Sequence, residues 1–223
     1  MKTKTDQAVY RVVLVDDHAM VREGIRAIVE RDQLIEVVGE ASDGREGIEL
    51  IEKIKPDIVV IDIGMPNLNG VDATRQLTRD FPKVKVIALS MHTDKRFVLA
   101  MFEAGAMGYV AKDSISEEIV RAIHAVAKGR KYISSDVAGP MIETATRQDP
   151  TYSSKEFSSV LGARERQVLQ LLAEGMTSGE IAKQLSLSVH TIDTHRRNIM
   201  KKTQTHSVAE LTKLAIREGL TSL

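Results

Sequence analysis

Asp16, Asp17, Asp62, Ser90 and Lys112 are the residues whose types and positions could do chemistry together. Each ends or directly follows a short apolar run: Val12-Val13-Leu14-Val15 precedes the Asp pair, Ile58-Val59-Val60-Ile61 precedes Asp62, and Val86 to Leu89 precedes Ser90. Three carboxylates brought close repel one another and need a cation. A ligand set made only of oxygens favours Mg²⁺, which binds one or two carboxylates, keeps several waters and takes oxygens from a phosphate. That combination suits phosphoryl transfer, in which a protein mainly positions groups and neutralises charge. Asp62 would be the nucleophile that forms an acyl phosphate. Lys112 and the cation would balance the phosphoryl oxygens, and the Ser90 hydroxyl would donate to one of them. Taken singly, each residue has an ordinary use: the Asp pair as a helix N-cap, Asp62 as a turn residue before Pro66, Lys112 as a solvated surface amine. Their joint placement at strand ends carries the argument.

The elements that must position these residues follow from periodicity. Strand candidates are Arg11 to Val15, Ile35 to Ala41, Ile58 to Ile61, Lys85 to Ser90 and Gly108 to Ala111. Between and after them, Met20 to Glu30, Gly44 to Lys53, Gly70 to Asp80, Lys95 to Ala104 and Ser116 to Lys128 repeat apolar residues at spacings of three and four. Strands apolar on both faces belong in a parallel sheet covered by helices on both sides. Five successive βα units therefore predict an α/β fold, a five-stranded doubly wound parallel sheet, and such sheets bind ligands at the carboxyl ends of their strands. This α/β unit is expected to span residues 9–131.

Residues 132–159 are expected to form a linker. Pro140 and Pro150 bracket a weak helical stretch around Val137 to Thr146, and Arg147 to Ser159 is rich in polar residues without periodicity, which reads as flexible. Residues 160–223 form a second, all-α unit of four helices: Arg164 to Glu174, Ser178 to Leu185, Val189 to Thr203 and Ser207 to Glu218. Thr177 and Glu180 make a capping box, Ser188 caps the next helix, and Gly175 and Gly219 stand where helices end. Only Ser186, Leu187 and Ser188 separate the second and third helices, which is helix-turn-helix spacing. In the third, Val189, Ile192, Ile199 and Met200 face inward. The opposite face carries His190, Thr191, Asp193, Thr194, Arg197, Asn198 and Lys201.

The formal net charge is +0, yet residues 161–223 carry 9 Lys and Arg against 6 Asp and Glu. This excess permits nucleic-acid binding without establishing it, since a solvated helix face would look the same. The 223 residues contain 0 Cys, which excludes a disulfide framework and a thiolate metal site and fits a reducing compartment. No apolar run approaches membrane-spanning length, and Met1 to Ala8 lead into no signal-peptide core, so the expectation is a cytoplasmic protein with no membrane partner.

Val15-Asp16-Asp17-His18, Ile61-Asp62-Ile63-Gly64-Met65-Pro66, Leu89-Ser90 and Gly105-Ala106-Met107-Gly108-Tyr109-Val110-Ala111-Lys112-Asp113 resemble the receiver domains of bacterial two-component response regulators. The resemblance implies the sheet order 2-1-3-4-5, Mg²⁺ held by Asp16, Asp17, Asp62 and the Gly64 carbonyl, and phosphorylation of Asp62 by a sensor histidine kinase. It further implies that Ser90 and Lys112 complete the site and that Tyr109 is the switch aromatic. Leu161 to Leu169, Glu180-Ile181-Ala182, Leu187 to Ile192 and Thr194 to Lys202 resemble the LuxR-type helix-turn-helix of the NarL/FixJ family. That implies binding to double-stranded DNA, with the outer face of Val189 to Thr203 in the major groove. Arg197 would read a guanine edge, His190, Thr191 or Lys201 would reach phosphates, and Asp193 would accept from cytosine. The family usually continues with Leu-Gly-Val where this chain has Thr203-Gln204-Thr205.

The expected function is a phosphorylation-switched transcription regulator that forms a homodimer when phosphorylated. It is a phosphoacceptor switch rather than an enzyme, with at most self-phosphotransfer and self-dephosphorylation. Two other classes compete. A phosphohydrolase on a similar sheet would need an acidic residue two positions after the nucleophile, where Gly64 stands. An adaptor acting only through protein contacts would keep the helix-turn-helix without reading DNA.

Overall fold

The structure, a computed structural model, describes residues 9–91, 93–146 and 160–221. The N-terminal unit alternates β1 (Tyr10–Val15), α1 (Ala19–Val29), β2 (Ile35–Ala41), α2 (Gly44–Ile54), β3 (Ile58–Asp62), α3 (Gly70–Asp80), β4 (Lys85–Ser90), α4 (Lys95–Glu103), β5 (Gly108–Ala111) and α5 (Ile115–Ala127). All strands pair in parallel, in the order β2-β1-β3-β4-β5-β6, where β6 is Tyr132–Ile133. Val13, Val59 and Val86 point into one layer of core, and Val12, Ile58 and Ile87 into the other. The double-sided apolar runs are thus covered on both faces, as a parallel sheet requires.

The sixth strand corrects the expected count of five. Tyr132 and Ile133 continue the sheet by pairing with Gly108 and Tyr109, and α6 (Ser135–Thr146) follows, with Val137 in the receiver core. The start of the expected linker is therefore built into the receiver. The expected flexible stretch, 147–159, lies outside the described residues.

The C-terminal unit is α7 (Ala163–Ala173), α8 (Ser178–Leu185), α9 (Val189–Thr203) and α10 (Val208–Arg217), packed around Leu169, Ile181, Ile192, Ile199 and Leu211. The predicted caps are present. The Thr177 hydroxyl accepts from the Glu180 amide at 3.3 Å while Glu180 Oε2 accepts from the Thr177 amide at 2.8 Å. The Ser188 hydroxyl accepts from the Thr191 amide at 3.1 Å. Val189, expected to face inward, is 48% exposed, because the first residue of α9 projects beyond the core its later turns reach. At Thr203-Gln204-Thr205, Gln204 takes φ 53° at the end of α9, a left-handed conformation that glycine adopts at less cost. The chain still turns there, and Leu211, Leu214 and Ala215 of α10 are buried.

Candidate phosphoacceptor site and nucleic-acid interface

β1, β3, β4 and β5 bring their carboxyl ends to one edge, and the predicted residues meet there. Asp62 is 5% exposed, Asp16 1% and Ser90 1%. Lys112, first residue of a single 3-10 turn after β5, places its Nζ 2.8 Å from Asp16 Oδ2 and 2.9 Å from Asp62 Oδ2. Asp62 Oδ1 accepts from the amide of Ile63 at 2.8 Å, which fixes the carboxylate plane. Burial pushes the Asp62 carboxyl above its usual range; Lys112 opposes this and the Asp16 charge adds to it. Burial alone would lower the Lys112 ammonium, but Asp62 and Asp16 hold it above its ordinary value. Charges this close in a low-dielectric pocket are stable only as a neutralised set.

The Asp pair divides its labour. Asp16 lies inside the pocket, whereas the side chain of Asp17 is 29% exposed at its mouth. Asp16 Oδ2 is buried with Lys112 as ionic partner and no well-directed hydrogen bond. Ligand atoms of Asp16, Asp17, His18 and Asp62 lie within 4.8 Å of one another. An incompletely satisfied buried oxygen among hard oxygen donors fits a divalent cation of the Mg²⁺ type. Gly64 lies in the loop after β3, with open space where a Cβ would stand.

That loop is held from behind by glycine. A Cβ on Gly70 would stand 2.0 Å from the Asp62 carbonyl oxygen, and the Gly70 amide donates to the Ile63 carbonyl at 2.9 Å. A Cβ on Gly44 would likewise meet the Leu68 carbonyl at 2.4 Å. Only glycine permits these approaches, so the sequence between β3 and α3 has one tight path.

Tyr109 is fully buried in β5 and hydrogen-bonds with Ser90. Burial, chiefly, raises its phenol pKa.

On α9, His190, Arg197 and Lys201 are exposed, and Thr191, Asp193 and Thr194 are half-buried. Arg197 folds along its own helix, with Nη2 3.3 Å from the Thr194 hydroxyl and Nε 3.4 Å from the Asp193 carbonyl. Asp193 accepts from the Ser178 hydroxyl at 2.9 Å. Its carboxylate thereby ties α9 to the start of α8, a structural use that sequence reasoning missed. Lys202 pairs with Glu165 of α7 at 2.7 Å and leaves Lys201 as the outward cation of that dipeptide.

One group of residues had no counterpart in the sequence expectations. The side chain of Gln170, fully buried in α7, donates to the Met65 carbonyl at 2.9 Å and accepts from the Asn69 amide at 3.1 Å and from Asn69 Nδ2 at 2.9 Å. Arg166 Nη2 lies 2.7 Å from Asp72 Oδ1, both side chains being 8% exposed. Gln184 donates to Asn67 Oδ1 at 2.9 Å. The helical domain thus grips the outer side of the loop that begins at Asp62. The available signal was the run Val168-Leu169-Gln170-Leu171-Leu172: apolar positions all round a helix mean cover on more than one side, and one polar residue among them needs a partner.

Residues 12–124 match the response regulator receiver domain family, and residues 159–215 match the bacterial regulatory proteins of the luxR family. The chain is 39% identical over 209 residues to the response regulator UvrY of Escherichia coli K12, covering 94% of each. It is 39% identical over 192 residues to the transcriptional regulatory protein LiaR of Bacillus subtilis, covering 86% of this chain and 90% of LiaR. The solved complex of the response regulator RcsB with DNA superposes with a TM-score of 0.57 at 26% identity, covering 92% of this chain and 96% of that one. With receiver chemistry at one end and a LuxR-type helix-turn-helix at the other, the chain belongs to the NarL/FixJ family of two-component response regulators.

Proposed function

We propose that Asp62 accepts a phosphoryl group from a sensor histidine kinase in the cytoplasm and that this charge sets the DNA affinity of α9. The observation that carries the reading is Lys112, whose ammonium bridges Asp16 and Asp62 inside a buried pocket at the strand ends. A carboxylate oxygen of Asp62 attacks phosphorus, the new P–O bond forms, and the bond to the donor's histidine nitrogen breaks. Asp16, Asp17, Asp62 and the Gly64 carbonyl are the groups that would hold Mg²⁺, which supplies charge neutralisation for the incoming phosphoryl oxygens. Lys112 turns from the carboxylates toward the phosphoryl group, and the Ser90 hydroxyl donates to it. The same groups support at most self-phosphotransfer and self-dephosphorylation, so the chain works as a switch.

Readout runs through the loop after β3. Gln170 holds the Met65 carbonyl, three residues from the phosphoacceptor, so movement of that loop on phosphorylation acts directly on α7. Release of α7 frees the helical domain, and two copies of the chain pair as a symmetric dimer whose two recognition helices read half-sites about one helical turn apart. His190, Thr191 and Lys201 approach phosphates, while Arg197 and Thr194 face the base edges. Asp193, tied to Ser178, orients α9 and comes within reach of cytosine only if that bond is given up.

Incubation with ³²P-acetyl phosphate tests the assignment. Label enters the wild-type chain with Mg²⁺, EDTA abolishes it, and Asp62→Ala takes up none. Uptake by Asp62→Ala at the wild-type rate would overturn it.

A further inference from the structure

His18 belongs to the acidic pocket but has no part in the phosphoryl reading. Its Nδ1 lies 2.9 Å from Asp17 Oδ1 and 3.3 Å from Asp16 Oδ1. The ligand atoms of Asp16, Asp17, His18 and Asp62 span no more than 4.8 Å. One ion bonded to each at about 2.0 to 2.3 Å bridges such a set after small side-chain shifts.

The backbone builds this position. His18 is the N-cap of α1, with φ −93° and ψ 107°, and its amide donates to Asp16 Oδ1 at 2.9 Å. Arg22, one turn on, donates to the Asp16 carbonyl at 2.6 Å and pairs with Glu40 at 3.0 Å, which anchors the segment from outside. The imidazole is 66% exposed, yet Nδ1 faces the carboxylates that a cation would share. Imidazole nitrogen is a poor ligand for Mg²⁺ and a good one for first-row transition ions, whose affinities for nitrogen exceed that of Mg²⁺.

We infer that His18 is a nitrogen ligand of the divalent cation in this pocket and tunes the site toward transition ions such as Mn²⁺ and Co²⁺ over Mg²⁺. The inference rests on the reading of the pocket as a cation site. The opposing account makes His18 a positioning residue that only donates a hydrogen bond to the two carboxylates, and a carboxamide could replace it in that role.

The experiment loads the full chain with Mn²⁺ alone and records pulsed electron paramagnetic resonance. Wild-type protein shows the nitrogen coupling of a directly bonded imidazole, which changes when histidine is labelled with ¹⁵N and disappears in His18→Ala. Calorimetry then shows Mn²⁺ and Co²⁺ binding weakened about tenfold in both His18→Ala and His18→Gln, with Mg²⁺ binding changed less than about twofold. Mn²⁺ bound without histidine coupling, or full recovery of Mn²⁺ affinity by His18→Gln, overturns ligation by His18 and leaves the cation site standing. Failure of the wild-type chain to bind either Mg²⁺ or Mn²⁺ overturns the cation site itself.

Discussion

Lys112 and Lys201 are the same residue type in opposite settings. Lys112, 10% exposed, is clamped between two carboxylates at the edge of the sheet, whereas Lys201 stands exposed on α9. In the first region one ammonium is held between two buried carboxylates, so the pocket is organised before any phosphoryl group arrives and salt does little to it. In the second the cationic face waits for a polyanion, and its binding must fall steeply as salt competes. A switch needs both: a small rigid site where one added charge matters, and a large soft surface whose affinity can be changed by moving it.

The largest effect should come from removing the buried cation. Lys112→Ala leaves Asp16 and Asp62 to repel in a desolvated pocket, at a cost of about 3 kcal/mol in urea unfolding with EDTA present. Mg²⁺ should recover part of that loss by binding only the folded form. An unchanged midpoint in EDTA would mean the pocket is wetter and softer than its burial shows.

The seam between the regions ranks next. Gln170→Ala strands the Met65 carbonyl and the Asn69 amide groups, so the docked arrangement should weaken by about 2 kcal/mol. Small-angle X-ray scattering would read this as a larger radius of gyration, with acetyl phosphate labelling of Asp62 retained. An unchanged radius would show that the loop after β3 does not hold the domains.

The smallest effects belong to the open face. Lys201→Ala should weaken binding to all DNA sequences and reduce the salt slope by about one. Arg197→Ala should relax specificity at one base pair for about 1 kcal/mol. That is the low end for such a contact, because the guanidinium must first leave the Asp193 carbonyl and the Thr194 hydroxyl. Equal loss on every sequence from Arg197→Ala would make it a phosphate contact.

How far the sequence could be read follows the same divide. The strands were legible because burial on both faces forces unbroken apolar runs, and the pocket was legible because strand ends converge wherever a parallel sheet forms. β6 was not, since two residues pairing at a sheet edge carry no period. The contact of Arg166 with Asp72 was equally hidden, because each alone looks like a solvated charge and only the fold brings them together. The tie of Asp193 to Ser178 was hidden for the converse reason: a polar residue on an outer face gives no sign that a neighbouring helix supplies its partner.

Fluorescence anisotropy of the full chain on its selected binding site, with and without beryllofluoride as mimic of the aspartyl phosphate, tests the coupling of the two regions most directly. The account predicts that beryllofluoride tightens DNA binding at least about tenfold, roughly 1.4 kcal/mol, in the wild-type chain and leaves Asp62→Ala unchanged. Equal DNA affinity of the wild-type chain in both conditions, with beryllofluoride shown to be bound, would contradict it and leave a constitutive DNA-binding protein.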